Sequence, residues 1–337
     1  MAKTVFPSGY SGQLNYIENN EAIKFVKDTF EASLRSTLNL TRVSAPLFVD
    51  VKTGLNDNLT GVELPVAFTP ANADELELQI IQSLAKWKRY TLAQNNFKVH
   101  SGIYTDMNAI RKDEVLDNIH SLYVDQWDWE VVISTLDRNV RFLKNTVDSI
   151  YQTILDVEHA ILIRYPMLVD SKLPKKIKYI TTQELLDMFP GEAPREREKL
   201  ACKEFGAIFL MKIGGTLTNG ESHDKRAPDY DDWELNGDII VWNQTLEDAF
   251  ELSSMGIRVN NTALERQVKL ANREQLLELP YHQSILAGEY PYSIGGGIGQ
   301  SRLCMYFLRK AHIGEVQSSV WDQETIDACN KHHVKLL

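Results

Sequence analysis

The sequence predicts a mixed α/β fold built on a largely antiparallel sheet with helices packed against it. Three observations carry this. Strand and helix periodicities are interleaved, but the closing strands cluster late in the chain. Two segments keep the three-and-four spacing of amphipathic helices, and one tryptophan-rich segment alternates with period two. The chain has 337 residues, 43% hydrophobic and 24% charged, so it can bury a large core without disulfide or metal staples. Collagen-like, disordered and disulfide-scaffold classes are excluded.

Residues 20–38 read as an amphipathic helix, with Ile23, Val26, Phe30 and Leu34 on one face and Asn19 or Asn20 as its cap. Residues 43–51 read as extended, and Pro46 within them fits an edge strand or one that meets another subunit. Residues 62–68 and 75–83 are further strands, the second with Leu76, Leu78 and Ile80 alternating. In residues 121–130, Tyr123, Asp125, Trp127 and Trp129 share one face. Leu122, Val124, Gln126, Asp128 and Glu130 share the other, which begins apolar and ends in three polar groups able to face a ligand.

Leu136, Val140, Leu143, Val147, Ile150, Ile154, Val157 and Ile161 then repeat at four and three. This is either a coiled-coil seam or, preferred for one such helix in a chain of this class, a long surface helix packed on a sheet. Residues 165–200 hold Pro166, Pro174, Pro190 and Pro194 and read as a connection with one short helix near 182–188. Residues 207–213, 238–242 and 248–253 read as strands. Residues 264–277 read as a helix, and 298–310 as a helix entered through a glycine run. No repeat or linker demands a second domain, so residues 1–337 form one, its first eighteen residues extended and without function.

The net charge of −10 disfavours nonspecific binding to nucleic acid or anionic membranes. No apolar run approaches the roughly 20 residues that span a bilayer, and the first residues lack a signal-peptide core. Cys202, Cys304 and Cys329 are odd in number and widely spaced, which supports neither a disulfide framework nor a zinc cluster. The chain reads as cytoplasmic.

Residues 215–222 have phosphate-loop glycine spacing, but Glu221 stands where the lysine must be, so this reading is discarded. His312-Ile313-Gly314-Glu315 resembles the HIGH tetrapeptide of one class of aminoacyl-tRNA synthetases, but it lies late and lacks that class's second motif; it is a chance match. Gly295-Gly296-Gly297-Ile298-Gly299-Gln300-Ser301-Arg302 is more informative. Its glycines let backbone approach a flat ligand, and Arg302 can aim a permanent charge at a phosphate. The bland alternative is a tight helix-entry turn, but so costly a glycine run favours function.

Arg111 precedes the Gln126/Asp128 strand, so a hairpin places it over that strand's polar face. Residues 226–233 pack three carboxylates beside an aromatic pair. Asp238 and Glu251 lie on two late strands, Glu251 sharing a face with Ser253. A single such acid is usually a solvated charge. Together with Arg111, Arg258 and Arg302, these acids suit magnesium and a reaction on a nucleotide triphosphate.

Seven segments carry a family resemblance: Asp57-Asn58-Leu59-Thr60-Gly61, Ser83-Leu84-Ala85-Lys86-Trp87-Lys88-Arg89, Tyr123-Val124-Asp125-Gln126-Trp127-Asp128-Trp129-Glu130, residues 226–233, Asn236-Gly237-Asp238, residues 247–258 and residues 295–302. On these the chain closely resembles the ammonia-dependent, A-type asparagine synthetases. The resemblance implies an α+β fold like the class II aminoacyl-tRNA synthetase catalytic domain, working as a homodimer, with Pro46 in its dimer-forming motif. It implies ATP and Mg²⁺, with aspartate and ammonia joined through a β-aspartyl-adenylate to give asparagine, AMP and pyrophosphate.

By position, the resemblance puts Arg111 and Arg302 on the α-phosphate, and Asp238 and Glu251 on Mg²⁺. Tyr230 and Asp231 lie against adenosine, with Gly297 in the nucleotide site. Ser83, Lys88, Gln126 and Asp128 hold aspartate, Lys88 suiting its α-carboxylate and Asp128 its ammonium. Ser254 and Arg258 complete the pocket. Asp57 orients or deprotonates ammonia. Ala2 replaces the cysteine that glutamine-dependent enzymes need there, so free ammonia is the nitrogen source. Neither a membrane nor a nucleic acid is expected as partner. The alternatives are an aspartyl- or asparaginyl-tRNA synthetase relative, which should carry an anticodon-binding domain that the first twenty residues cannot supply, and a non-catalytic synthetase-like sensor, which would have lost a motif arginine or metal acid.

Overall fold

The computed structural model describes residues 4–57, 59–60, 63–168 and 173–337. Helix α1 (Tyr16–Thr37) starts earlier than its hydrophobic stripe because Asn15 accepts from the Ile17 and Glu18 amides while Glu18 returns to Asn15, a capping box. The expected caps are therefore corrected: Asn19 lies inside the helix, and its Nδ2 donates to the Glu315 carbonyl at 2.7 Å. The opening segment is correspondingly shorter than eighteen residues. It is tied down, with Phe6 buried and Tyr10 Oη donating to Glu315 at 2.9 Å.

Strands β1 (Leu40–Arg42) and β2 (Phe48–Asp50) flank Pro46. The expected strand over 62–68 reduces to β3 (Ala67–Phe68); Asn58, Gly61 and Val62 lie outside the described residues. Next come β4 (Leu78–Ile80), α2 (Ala85–Gln94), β5 (Gly102–Ile110) and β6 (Tyr123–Val132). The split faces of β6 are as the alternation predicts. Trp127 and Trp129 enter the core, Phe30 of α1 meeting Trp127 at 4.8 Å between ring centroids, while Gln126 and Asp128 face a cavity.

Helix α3 (Val140–Arg164) begins after the Asn139 cap; Leu136 falls in a preceding 3-10 turn and is 89% exposed. Its repeating stripe packs on α1 and the sheet, which excludes the coiled-coil reading. The expected connection at 165–200 contains more structure than its proline content indicates. Strand β7 (Lys178–Thr181) and α5 (Pro194–Phe205) flank the expected α4 (Thr182–Met188). A four-residue edge strand and a charged helix begun by proline leave little hydrophobic signal.

The rest comprises β8 (Ala207–Met211), β9 (Asp231–Asn243), β10 (Asp248–Arg258), α6 (Asn261–Leu270), α7 (Pro280–Leu286), β11 (Ser293–Gly299), α8 (Gln300–Phe307) and α9 (Gln323–Lys331). Both β9 and β10 outrun their expected lengths: β9 reaches back to Asp231 and β10 on to Arg258, and these extensions mix core residues such as Leu235, Met255 and Ile257 with Asp231, Ser254 and Arg258 on the cavity. Helix α6 stops at Leu270, with a 3-10 turn at Glu274–Glu278. The glycine run is itself a strand, not a helix-entry turn.

Among the described residues one eight-stranded sheet runs β1-β5-β6-β11-β10-β9-β8-β7, antiparallel except at its two outer pairings, and a small sheet runs β2-β4-β3. Residues 215–222 form an exposed turn closed between Thr216 and Ser222. Residues 312–315 form a capped, buried 3-10 turn. Both fit the rejection of those motifs.

Candidate active site

The cavity, about 370 Å³, opens on the face of β6, β11 and β10 opposite the tryptophans. Backbone can lie flat here because β11 is glycine. A Cβ at Gly297 would stand 2.3 Å from Gln126 Oε1 and 2.7 Å from Asp128 Oδ1, and one at Gly295 would meet Glu130 Oε2 at 1.9 Å. The glycine strand thus gives its side-chain space to its neighbours. Gly297→Ala is expected to displace Gln126 and Asp128 and to cut kcat/KM for the amino-acid substrate about a hundredfold, with a stability loss of only about 1–3 kcal/mol. Steady-state kinetics and thermal melts separate the two effects.

Two groups of charges line the cavity. In the first, Lys88 Nζ lies 3.1 Å from Asp128 and donates to the Gly296 carbonyl at 2.8 Å. Burial pulls the Lys88 ammonium below its ordinary value, and Asp128 opposes this. Arg258 is clasped by Glu130 at 2.6 Å and by Asp231. Burial pushes the Glu130 carboxyl up, but Arg258 outweighs it and the net value is low; at Asp231 burial prevails and the value is high. Ser83, Gln126 and Tyr230 line the same space.

The second group gathers arginines over acids. Arg302, one turn into α8, places Nη1 3.5 Å from Glu251 Oε2. Arg111 follows β5 in the expected hairpin with β6; its Nη2 donates to the Gln82 carbonyl at 3.4 Å. Arg226 binds Asp238 and donates to Ser254 Oγ at 3.1 Å. Burial raises the Glu251 carboxyl, but Arg302, Arg226 and Arg111 bring it below its ordinary value. Burial also raises the Asp238 carboxyl, against Arg226 and with Glu251. A register shift between Glu251 and Ser253 breaks the alternation expected there. Ser253 turns its hydroxyl to the Gly297 carbonyl, and Ser254 is the serine that meets Arg226.

Asp57 lies at the cavity wall, 1% exposed. Its Oδ1 accepts from the Leu59 amide at 2.9 Å, and its Oδ2 has no hydrogen-bond partner among the described residues. Burial pushes this carboxyl up.

The structure therefore brings every sequence-derived site residue to one cavity. Only Asp238 stays off its wall, reaching it through Arg226. Sequence reasoning gave no role to Arg226, to Glu130 as the partner of Arg258, or to a buried set formed by Lys86, Asp229 and His282. A signal for the last exists in α2, where three cations, Lys86, Lys88 and Arg89, stand with no acid within the helix.

The chain shares its fold with class II synthetase catalytic domains. Against the Entamoeba histolytica asparaginyl-tRNA synthetase in complex with asparaginyl-adenylate, the TM-score is 0.62 at 12% identity, over 89% of this chain and 66% of that one. Against the Pyrococcus horikoshii asparaginyl-tRNA synthetase complexed with asparaginyl-adenylate, it is 0.61 at 15% identity, over 89% and 68%. Relatives named aspartate–ammonia ligase match throughout. That of Pediococcus pentosaceus is 54% identical over 99% of both chains, and that of Clostridium tetani 55% identical over 99% of this chain and 98% of its own. Residues 17–333 match the family described as AsnA, aspartate-ammonia ligase. With family pattern, full-length identity and synthetase fold in agreement, the chain belongs to the aspartate–ammonia ligase family.

Proposed function

We propose that the protein joins aspartate and ammonia at the expense of ATP, forming asparagine, AMP and pyrophosphate. Beyond family membership, one observation carries the reading. The Lys88–Asp128 pair, complementary to an α-amino acid, and the Arg111/Arg302 pair, complementary to phosphate, line a single cavity. Lys88 takes the α-carboxylate and Asp128 the α-ammonium, so the side-chain carboxylate is the free nucleophile. Its oxygen bonds to the α-phosphorus while the bond to pyrophosphate breaks, and Arg111 and Arg302 neutralise charge on the phosphate oxygens. Tyr230 and Asp231 flank the adenosine.

Ammonia then attacks the acyl carbon and AMP leaves with the bonding pair of the C–O bond. Asp57 attracts ammonium and takes its proton; burial raises that carboxyl, which suits it to accept one.

Mg²⁺ fits the acid pair: Asp238 Oδ1 is buried without a hydrogen-bond partner among the described residues, and Glu251 is its neighbour in charge. Two carboxylates plus nucleotide oxygens and waters match magnesium's preference. Bound there, the ion would neutralise charge on the triphosphate.

The reading includes a single catalytic domain acting as a homodimer in the cytoplasm. Exposed Phe48 and Phe68, 5.3 Å apart on the small sheet beside Pro46, support a protein contact there. The buried, unpaired thiols support a reducing compartment.

Purified protein given ATP, Mg²⁺, aspartate and ammonium should release AMP and asparagine in equal amounts, and none when glutamine replaces ammonium. No AMP, or AMP without asparagine, overturns the reading.

A further inference from the structure

Strand β11 passes into α8 without a local cap. Gly299 is the N-cap residue of α8 and makes no side-chain capping bond, because glycine has no side chain to offer the first amides of the helix. The usual capping serine or aspartate would crowd the arginine one turn on. A Cβ at Gly299 would stand 3.2 Å from Arg302 Cβ and 3.6 Å from its Cγ and Cδ. The junction that carries Arg302 must therefore be fixed from elsewhere in the fold.

It is fixed from β6. Asp125 Oδ1 accepts from the Ser301 amide at 3.1 Å and from Gln317 Nε2 at 3.2 Å. Gln317 Nε2 also donates to Ser301 Oγ at 3.0 Å, which closes a ring of contacts around the first turn of the helix. Asp125 Oδ2 accepts from Lys27 Nζ of α1 at 3.0 Å, so the capping charge has a cation of its own. One residue earlier, Gln300 Nε2 donates to Asp106 Oδ1 of β5 at 3.0 Å, and Arg42 holds the other oxygen of Asp106. Asp125, Ser301 and Gln317 are all buried, and all three line the cavity with Arg302.

We propose that Asp125, bridged to Ser301 by Gln317, is a positioning residue for Arg302: it caps α8 from a neighbouring strand and so sets the direction in which the guanidinium meets the phosphates. The inference rests on the phosphate reading of Arg302 above and adds what aims that side chain. The contacts at the far end of Arg302 are long, 3.3 Å from Nη1 to the Glu251 carbonyl and 3.5 Å to Glu251 Oε2, so its direction is set at its base. Its base follows directly on Ser301, whose amide Asp125 holds. A shift of about an ångström in such a group costs roughly a hundredfold in rate. Asp125 lies on the tryptophan face of β6, away from Gln126 and Asp128, so its loss must spare the aspartate side of the cavity.

The test measures aspartate-dependent ATP–pyrophosphate exchange, with the KM of each substrate, in wild type, Asp125→Ala, Gln317→Leu, Arg302→Ala and the double variants D125A/R302A and Q317L/R302A. D125A should lower kcat/KM for ATP about thirtyfold and Q317L about fivefold, with the aspartate KM within about twofold of wild type in both. In the R302A background neither change should cost more than about twofold, because the group being aimed is gone. Q317L leaves the Lys27–Asp125 pair intact, so its cycle decides the matter if D125A does not fold. Equal losses in the two backgrounds, an aspartate KM raised as much as that of ATP, or wild-type exchange in the folded variants overturns the inference. R302A separates the two layers. Exchange near wild type in R302A removes the phosphate reading of Arg302 itself. A large loss in R302A, with D125A and Q317L either silent or fully additive to it, removes only the role of Asp125 and Gln317.

Discussion

Arg302→Ala should lower ATP–pyrophosphate exchange about a thousandfold while leaving the melting temperature within about 1 °C of wild type. The guanidinium reaches from the first turn of α8 to Glu251, which Arg226 and Arg111 also favour in its ionised form, so its removal leaves that acid compensated. Its work is electrostatic. Charge moves onto the phosphate oxygens as the acyl–phosphate bond forms, and a fixed, permanently charged fork stabilises that charge more than it stabilises the ground state. Arg302→Lys should recover only part of the loss, since it restores the charge but not the paired donors. Exchange near the wild-type rate in R302A would place the triphosphate elsewhere.

Arg258→Met should have the opposite profile, with its largest effect on stability. Arg258 is 2% exposed and holds two acids, Glu130 at 0% and Asp231 at 10%. Removing the cation strands both carboxylates in the interior, at a cost of about 3–5 kcal/mol. For a chain of this length that lowers Tm by roughly 5 °C, measurable by calorimetry. Glu130→Gln tests the pair from its other end. The Glu130 carboxyl is held below its ordinary value, so its contribution is complete above the unfolded carboxyl value of about 4.3 and is lost as pH falls through the lower folded value. The variant should therefore lose part of the acid dependence of Tm. An unchanged acid limb would mean that Glu130 is not ionised in the folded protein.

The cavity face of β6 was legible because period-two alternation assigns Trp127 and Trp129 to one side and Gln126 and Asp128 to the other without any tertiary knowledge. Arg111 followed from hairpin logic. The long stripe of α3 and its packing on the sheet were also legible, but not its contact with α1, since hydrophobic spacing states that a face is buried and not which helix covers it. The glycine run pointed to close approach of backbone, yet its secondary structure was misread. Its space is filled by Gln126, Asp128 and Glu130 from the neighbouring strand, and no local signal records that. The added lengths of β9 and β10 were missed because polar residues and glycines, such as Asn236, Gly237, Ser254 and Gly256, interrupt the apolar alternation there.

By itself the sequence determined which chemistries are present: the arginines, the acids on late strands and a pattern specific enough to name a family. Tertiary structure alone decided how these groups pair. Arg226 takes Asp238, Arg258 takes Glu130 and Asp231, and Lys86 meets Asp229 and His282 across segments nearly two hundred residues apart. The reason is physical. Local periodicity reports the backbone's own geometry, whereas the energy of a buried charge is set by whatever the fold brings within a few ångströms of it.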